Sequence, residues 1–295
     1  MTFSYEPVKR LWKLIHEKSE KCQPPALLLW GSLCYDPVNK QVVLFGGGGV
    51  DAPDGRPHTW VMDVTKDIWR RLELDIEPPA RCNSRMVYDS KNKLIVLFGG
   101  DGQDRALADT WVFNVTKQRW EERKPPVSPH PRHCHAMAYL PKSGVVLMVG
   151  GNAVADYRKA DRLGRQVWVY DAAKDTWTPL AVEVPKYRWA SMENIPGTDE
   201  VILVTAHSYD HRRRTFRFRY DPSIPRAKHK GVPPGTVAWK TKRTKAWYDD
   251  VPPADRKAHE KFLATLPANT WVEVKPPKST IGRTWGTAIF DTDRG

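Results

Sequence analysis

Apolar residues in this sequence form short runs that end in paired glycines. Three such runs are "VVLFGG" (42–47), "LIVLFGG" (94–100) and "VVLMVGG" (145–151), each preceded by a stretch of turn-forming residues. Short runs of β-branched and aliphatic residues bounded by turn residues are typical of buried strands. The pattern therefore predicts short strands joined by turns rather than long helices.

Glycines directly after a strand also occur in phosphate-binding loops, which gives a second interpretation of these runs. A phosphate loop needs a helix after the glycines, so that the first N–H groups point at the anion. The first run is followed by "GGVDAPDGRPH" (48–58), which contains two prolines, and helices rarely begin in this way. The recurrence of the glycines favours a tight structural turn inside a repeated unit.

The glycine pairs mark the period of that repeat. A fourth copy, "EVILVTA" (200–206), keeps the apolar strand but has Thr205 and Ala206 in place of the glycines. The equivalent positions recur at nearly constant intervals along the chain and are Gly46, Gly99, Gly150 and Thr205. The chain is therefore built largely from one kind of unit.

An alternating aromatic segment follows each apolar run. In the first unit it reads "TWVMDVTKDIW" (59–69), and the alternation predicts two half-buried antiparallel strands joined by a tight turn. The corresponding aromatic positions are Trp60, Trp111, Trp168 and Phe218, and the corresponding polar positions are Asp63, Asn114, Asp171 and Asp221. A second tryptophan follows the polar position at the same spacing in three units, at Trp69, Trp120 and Trp177.

Proline-rich connectors lead from each unit to the next, and each ends in an arginine. The arginines are Arg81, Arg132, Arg188 and Arg283, and they follow Trp69, Trp120, Trp177 and Trp271 at a spacing that is almost the same in every unit. Each unit thus has four predicted strands, with an arginine at the entrance to the first strand of the next unit.

With its glycine pairs, aromatic–Asp segments and terminal tryptophans, the chain resembles the kelch-repeat family, in particular bacterial kelch proteins grouped with the central domain of galactose oxidase. The resemblance implies an all-β fold, a kelch-type β-propeller with four-stranded blades around a central channel. The predicted blades cover about 26–72, 79–123, 130–180 and 186–275, and a fifth begins at 283.

The sequence departs from the family pattern at two places. The fourth unit has an insertion at about 223–267 between its last two strands, and "RTWGTAIFDTDRG" (283–295) matches only the first strand of a fifth unit. Kelch propellers usually have six or seven blades. The resemblance therefore implies an incomplete propeller whose first and last blades expose unpaired edges.

Residues 1–25 precede the first predicted blade. The composition of "VKRLWKLIHEKSEK" (8–21) predicts a short N-terminal helix. The alternative is that Trp12 is the terminal tryptophan of a further unit, in which case the segment would complete the last blade as a closing strand. Leu28 is the position equivalent to Arg81, and it lies farther from Trp12 than Arg81 lies from Trp69. This difference favours the helix.

The connector arginines are candidates for an anion site at the mouth of the channel. Guanidinium groups around one rim would bind carboxylate, sulfate or phosphate through bidentate hydrogen bonds. The alternative is that each arginine pairs with an acidic residue and holds neighbouring blades together. The candidate residues are Arg81, Arg132, Arg188 and Arg283.

His133 and His135 flank Cys134, and alternate residues of a strand face the same way, so the two imidazoles could share a metal. A hydrogen-bonded structural pair is the alternative, because a third ligand would have to come from distant residues such as His207 or His211. We predict no cofactor. The cysteines have no CxxC or zinc-finger spacing and are expected to pack as small buried thiols.

Positive charge is concentrated in residues 211–247, which contain 12 Lys and Arg residues and one Asp, a net +11 of the +13 of the whole chain. Basic residues mixed with aromatic ones suit an anionic polymer, either a nucleic acid or an acidic glycan. The alternative is a solubilising insertion, closed by an amphipathic helix at 254–266. Candidate binding residues are Arg212, Arg213, Arg214, Lys240, Lys242 and Arg243.

These features predict a non-catalytic binding module that presents propeller loops and the basic insertion to a protein or an anionic polymer. The alternative is a carbohydrate-active oxidase or isomerase that uses the channel mouth, although local catalytic motifs such as G-x-S-x-G are absent. No apolar stretch is long enough for a membrane helix. We expect a cytoplasmic protein if Met1 is the true start and a secreted one if an N-terminal signal is missing.

Overall fold

The computed structural model of the chain describes the following residues: 2–6, 8–16, 30–47, 58–102, 105–152, 162–185, 187–208, 214–228, 230–239 and 272–274. Within them the chain forms nineteen β-strands and one single-turn 3-10 helix, Arg162–Arg165. In this part of the chain, no helix is long and apolar enough to cross a membrane.

An antiparallel hairpin of β1 (Thr2–Glu6) and β2 (Leu11–His16) occupies the N-terminus and pairs with no other described strand. The prediction of a short N-terminal helix is therefore wrong for these residues. Arg10 in the turn has φ +54°, a left-handed conformation that a right-handed helix does not contain. The Tyr5 and Trp12 rings lie 5.0 Å apart across the two strands, and this contact stabilises the extended form.

Four antiparallel sheets form the blades of a kelch-type β-propeller, as predicted. Blade 1 consists of β3 (Ser32–Asp36), β4 (Gln41–Phe45), β5 (Trp60–Asp63) and β6 (Ile68–Arg71). Blade 2 consists of β7 (Arg85–Asp89), β8 (Leu94–Asp101), β9 (Arg105–Asn114) and β10 (Arg119–Arg123). Blade 3 consists of β11 (Ala136–Leu140), β12 (Val145–Val149), β13 (Gln166–Asp171) and β14 (Thr176–Glu183).

Blade 4 is interrupted in sequence between its third and fourth strands. It consists of β15 (Tyr187–Asn194), β16 (Glu200–Ser208), β17 (Arg214–Arg219) and β19 (Val272–Val274). The intervening strand β18 (Val237–Trp239) pairs with β9 of blade 2 instead. The predicted helix at 254–266 and the predicted start of a fifth blade at 283 lie outside the described residues.

Three hydrophobic cores join neighbouring blades. One core packs Phe45 of blade 1 against Trp120 of blade 2, and a second packs Phe98 of blade 2 against Trp177 of blade 3. The third fills the space between blades 3 and 4, where Leu203 is fully buried. Within the described ranges, no such core links blade 4 back to blade 1.

The paired glycines let each connector pass close to the blade before it. Gly99 has φ +54°, and a Cβ atom on it would lie 2.7 Å from the carbonyl oxygen of Arg132. The next residue, Gly100, donates its backbone N–H to that same oxygen at 2.9 Å. A side chain at Gly99 would therefore separate the strand from the connector, which accounts for the glycines without any role in phosphate binding.

Strand register corrects one correspondence in the fourth unit. Glu200 occupies the register position of Gln41 and pairs with Arg219, whereas Gln41 pairs with Asp63. Phe216 therefore takes the place of Trp60, so the predicted equivalence of Phe218 with Trp60, and with it that of Asp221 with Asp63, is shifted by two positions. Such a shift keeps each side chain on its face of the sheet, so alternation alone could not distinguish the two alignments.

Candidate functional site

A cavity of about 390 Å³ opens between the first strands of the four blades, where a propeller has its channel. All four strands β3, β7, β11 and β15 contribute to its wall. Its lining includes Cys34, Tyr35, Arg85, Tyr88, Met137, Tyr139, Met192 and Glu193. Aromatic and sulfur-containing side chains therefore surround one basic and one acidic group.

Arg85 and Glu193 are the charged groups of this cavity. Arg85 lies on blade 2 and donates to the carbonyl of Ala190 on blade 4 at 3.4 Å, so it reaches across the channel. Burial lowers the pKa of Arg85. Glu193 is exposed to the water of the cavity, but the walls restrict its hydration and raise its pKa to about 7, an effect that the charge of Arg85 opposes.

Cys34, Cys82 and Cys134 are free thiols and are buried or half-buried, but only Cys34 lies in one of the named strands. Burial is the main cause that raises the pKa of Cys34, and the charge of Glu193 raises it further. Burial also raises the pKa of Cys134. These thiols are therefore protonated at neutral pH and poorly suited to nucleophilic chemistry.

Arg81 is buried between blades 1 and 2. Its carbonyl accepts from the N–H of Gly47 on blade 1, while its guanidinium binds both carboxylate oxygens of Asp109 on blade 2, at 2.7 and 2.6 Å. Two further donors bind the carbonyls of Pro79 and Gly99. Arg81 thus holds two blades together in the way that the structural alternative describes.

Arg132 repeats this arrangement between blades 2 and 3. Its carbonyl accepts from Gly100, and its guanidinium donates to the Gly150 carbonyl at 2.8 Å and to Gln166 Oε1 at 3.0 Å. Neither Arg81 nor Arg132 lines the cavity. Arg188 lies on β15 and Arg283 lies outside the described residues, so anion binding by the four arginines together stays a prediction.

His133 and His135 are both buried next to this connector. His133 Nδ1 lies 3.2 Å from Cys134 Sγ, and both ring nitrogens of His135 lack a hydrogen-bond partner in the described structure. Burial, together with the charges of Arg85 and Arg132, lowers the pKa of His135 well below its usual value. Within the described ranges, no three His, Cys, Asp or Glu side chains are grouped as a metal site would require.

The first part of the insertion crosses blades 3 and 2, and we call its described residues, 221–228 and 230–239, the strap. Ala181 on β14 donates to the Pro225 carbonyl, and Ala227 donates to the Pro179 carbonyl, both at 2.9 Å. Ser128 and Val232 exchange two backbone hydrogen bonds of 2.8 Å. β18 then extends the sheet of blade 2, so the strap is attached at three separate places.

The strap presents three basic side chains on a fixed main chain. Arg226, Lys228 and Lys230 are exposed, and none of them has an ion-pair partner among the described residues. Alternate residues of an extended segment point the same way. Of the basic residues singled out in the sequence, Arg214 lies on β17, whereas Arg212, Arg213, Lys240, Lys242 and Arg243 lie outside the described residues.

Comparison with known proteins identifies the family. The model of the KLHDC2/KLHL20/DRC7 kelch-repeats domain matches residues 2–203. This chain belongs to the kelch-repeat family. Kelch domains generally serve as protein-interaction modules. The matched range includes the N-terminal hairpin, whose residues were predicted to form a helix before the first blade.

Individual relatives match only part of their own length. Adagio-like protein 3 of Oryza sativa subsp. japonica is 25% identical over 201 residues, 63% of this chain and 30% of that protein. Mei4-dependent protein 6 of Schizosaccharomyces pombe is 29% identical over 109 residues, 36% of this chain and 15% of that protein. The chain spans less than a third of the length of the curated relatives it matches.

Among solved structures, YjhT is similar to this kelch chain, with a TM-score of 0.51 and 16% sequence identity. The match covers 71% of this chain and 69% of that one. At this identity the likeness shows the fold alone.

Sequence reasoning missed the strap and the charged pair in the channel. The strap binds segments of blades 2 and 3 that are distant from it in sequence, and such pairing leaves no local signal. Glu193 did have a signal, because the equivalent positions of the other blades are Cys34, Val87 and Ala138, which are small or apolar. A carboxylate at that register position is a departure from the repeat that the alignment could have detected.

Proposed function

We propose that this kelch propeller is a non-catalytic binding module that holds an acidic segment of a partner protein against the strap. The observation that carries the proposal is the attachment of the strap to blades 3 and 2, which leaves Arg226, Lys228 and Lys230 exposed in a row. A fixed main chain lowers the entropy that its side chains lose on binding, and this favours recognition by the strap over recognition by a free tail.

The spacing of the three cations indicates the form of the ligand. Along an extended segment, alternate residues lie about 6–7 Å apart on one side. An extended partner with Asp or Glu at alternate positions would match that spacing and could pair each carboxylate with one cation. The charge of residues 211–247 would also raise the rate of encounter with such a ligand at low salt.

The test compares two triple variants of the full chain. Arg226→Ala/Lys228→Ala/Lys230→Ala removes the row of cations on the strap. The control Lys66→Ala/Lys124→Ala/Lys174→Ala removes the same charge from lysines that are exposed on blades 1, 2 and 3 and paired with carboxylates there. Binding of a fluorescein-labelled peptide with alternating Glu residues is followed by polarisation, with heparin as competitor.

We expect the strap variant to bind the peptide about tenfold more weakly, since each exposed ion pair contributes up to about 1 kcal/mol. The control variant should bind nearly as the unchanged protein does. Equal weakening in both variants would mean that only the overall charge matters, and the strap proposal would fail. Preference for heparin over the peptide would identify an anionic polymer, rather than a protein, as the ligand.

A second candidate function is a carbohydrate-active enzyme that uses the channel. The supporting observation is Glu193, whose pKa of about 7 suits proton transfer near neutral pH and which shares the cavity with Arg85. Assay of Glu193→Gln against a panel of sugars tests it. Turnover that is lost in this variant and kept in Asp221→Asn, a change at a turn residue, would support the enzyme. If the unchanged protein turns over no sugar of the panel, the binding module is the proposal that remains.

A further inference from the structure

One face of blade 4 differs from the corresponding face of every other blade. Val204 and Ile202 on β16 are 47% and 39% exposed. The residues at the same register positions in blades 1, 2 and 3 are fully buried because they face the next blade: Phe45 and Val43, Phe98 and Val96, Val149 and Leu147. We call the surface formed by Ile202, Val204 and Thr215 the open face of blade 4.

At the closed interfaces, between blades 1 and 2 and between blades 2 and 3, the terminal tryptophan of the later blade packs on the residue of the earlier blade that is equivalent to Val204. The Trp120 ring lies 5.2 Å from the Phe45 ring, and its indole N–H donates to Thr59 Oγ1 at 2.8 Å. One interface further along the propeller, Trp177 lies 4.9 Å from Phe98 and donates to Thr110 Oγ1 at 3.0 Å.

The open face carries the same acceptor at the same register. Thr215 pairs with Val204, as Thr110 pairs with Phe98. Thr59 and Thr110 are both fully buried beneath a tryptophan, whereas Thr215 is half-buried. The open face therefore has both groups that contact a tryptophan in the closed interfaces, an apolar side chain and a threonine hydroxyl.

The N-terminal hairpin has the register of the third and fourth strands of a blade. Tyr5 pairs with Trp12 as Phe113 pairs with Trp120 and Tyr170 with Trp177. The residue two positions before each tryptophan is left-handed in all four hairpins, with φ of 54°, 56°, 48° and 50° at Arg10, Asp67, Gln118 and Asp175. By these two criteria β1–β2 is the outer half of a blade.

The hairpin exposes the side chains that such a half-blade buries. Phe3, Tyr5, Trp12 and Leu14 lie on one face and are 52%, 46%, 63% and 39% exposed. On the equivalent face of blades 2 and 3, Trp120 and Trp177 are only 3% and 5% exposed, because they contact the blade before them. Among the described residues, the hairpin therefore exposes a tryptophan that packs on no blade, and blade 4 exposes a matching surface that no tryptophan covers.

We propose that the hairpin docks on the open face of blade 4 of the same molecule, with Trp12 against Val204 and its indole N–H bonded to Thr215, as the outer half of a fifth blade. Chain order supports this position. The outer strands of each blade directly precede the first strand of the next blade, so the hairpin belongs to the blade before blade 1. In a ring of five blades, that blade is the neighbour of blade 4.

The connecting chain is long enough for this placement. Trp30, Asn83 and Cys134 are equivalent left-handed residues ahead of the first strands, and Asn83 donates to the Trp30 carbonyl as Cys134 donates to Asn83. The segment from Trp12 to Trp30 is longer than the corresponding segments that lead to Asn83 and Cys134 from the tryptophans before them. The connector can therefore span the same distance as those of the closed interfaces.

Two charged substitutions lie on this side of blade 4. Glu193, directly opposite Ile202 on the first strand, lines the channel cavity. Arg217 is paired through its guanidinium with the carboxylate of Glu200 on the neighbouring strand. Because this charge is already compensated within blade 4, it needs no partner from the hairpin.

Photo-crosslinking tests the proposal in the full chain. Trp12→p-benzoylphenylalanine puts a photoreactive ring at the proposed contact, and Lys13→p-benzoylphenylalanine puts it on the opposite face of the hairpin as a control. Tyr5→p-benzoylphenylalanine, on the same face as Trp12, repeats the test should the first variant not fold. Irradiating an equal mixture of 15N-labelled and unlabelled protein lets mass spectrometry distinguish crosslinks within one molecule from crosslinks between two.

We expect crosslinks from position 12 to β16 or β17 within one molecule, and several-fold fewer from position 13. Crosslinks to the same strands between molecules would overturn the proposal in favour of a second copy as the occupant. No crosslink to these strands, or equal crosslinking from positions 12 and 13, would also overturn it.

Discussion

The interface between blades 2 and 3 and the open face of blade 4 are built from the same register positions but are completed differently. In the interface, Phe98 and Thr110 are fully buried beneath Trp177, and Arg132 binds both blades. On the open face, Val204 and Thr215 occupy the equivalent positions, and Val204 is nearly half exposed. The strands of blade 4 nevertheless pair with each other as those of blade 2 do.

This difference separates two levels of structure. Pairing within blades 1 to 3 joins consecutive strands, and blade 4 has the same order of pairing although one of its faces is exposed. Burial of the apolar faces requires the neighbour, and a tryptophan and an arginine contribute to it at the interfaces of blade 2 with blades 1 and 3. The kelch propeller thus resembles other repeat proteins, in which nearest-neighbour contacts add to the stability of each unit.

The largest expected effect is the loss of an interface arginine. Arg81→Ala removes the partner of Asp109 and leaves a carboxylate buried between the blades. We expect a loss of about 3–5 kcal/mol in the free energy of unfolding, as for other broken buried ion pairs. Arg217→Ala breaks the half-buried Glu200 pair on the open side of blade 4, where we expect about 1 kcal/mol or less. Urea denaturation of both variants measures the difference, and equal losses would contradict the distinction between the two surfaces.

A smaller effect is expected from filling the space beside a paired glycine. Gly99→Ala places a methyl group 2.7 Å from the Arg132 carbonyl at the interface between blades 2 and 3. Gly197→Ala, in a turn of blade 4, also has positive φ but no atom within 4 Å of the added methyl. Both changes destabilise the fold by about 1–2 kcal/mol through the backbone. Any further loss of stability in Gly99→Ala therefore reports the close approach of the connector. Thermal unfolding of the two variants should give the lower Tm for Gly99→Ala, and a reversed order would disprove that explanation of the glycine pairs.

A pH-dependent effect distinguishes the channel wall of blade 4 from those of the other blades. The folded protein raises the pKa of Glu193 from its ordinary 4.5 to about 7. The folded state therefore binds the proton more tightly than the unfolded state, and the contribution of Glu193 to stability falls as pH rises from about 4.5 to 7. We expect Glu193→Gln to raise Tm relative to the unchanged protein at pH 8 more than at pH 4. Glu183→Gln, at a surface pair with Arg165, is the control; a pH-independent difference for Glu193→Gln would show that its carboxylate is fully hydrated.

Much of this fold could be predicted from the sequence because it is a repeat. The glycine pairs and the Trp69, Trp120 and Trp177 series specify equivalent positions without any knowledge of distances. Pairing of Arg81 with an acidic residue was one of two alternatives, and Asp109 was not identified as the partner. The arginine spacing fixes its register but not its partner.

For the N-terminal hairpin, the sequence favoured a helix over a closing strand, although the signal for the strands is present. "TFSYEPVKRLWKLI" (2–15) aligns without gaps with "TWVMDVTKDIWRRL" (59–72), including Trp12 with Trp69. Its Lys-rich composition and the longer connector pointed to a helix instead. Position-by-position equivalence is a stronger guide than local composition in a repeat protein, because each position has the same neighbours in every unit.

The most direct test of the account is a pair of double-mutant cycles on matched contacts. One cycle combines Trp177→Phe with Thr110→Val at the closed interface, and the other combines Trp12→Phe with Thr215→Val at the open face. The packing that Trp→Phe loses is lost with or without the threonine hydroxyl and cancels in each cycle, so the coupling reports the bond between the indole N–H and that hydroxyl. We expect a similar coupling of about 1 kcal/mol in both cycles, measured by urea denaturation. Coupling in the first cycle with none in the second would contradict the claim that the hairpin occupies the open face of blade 4.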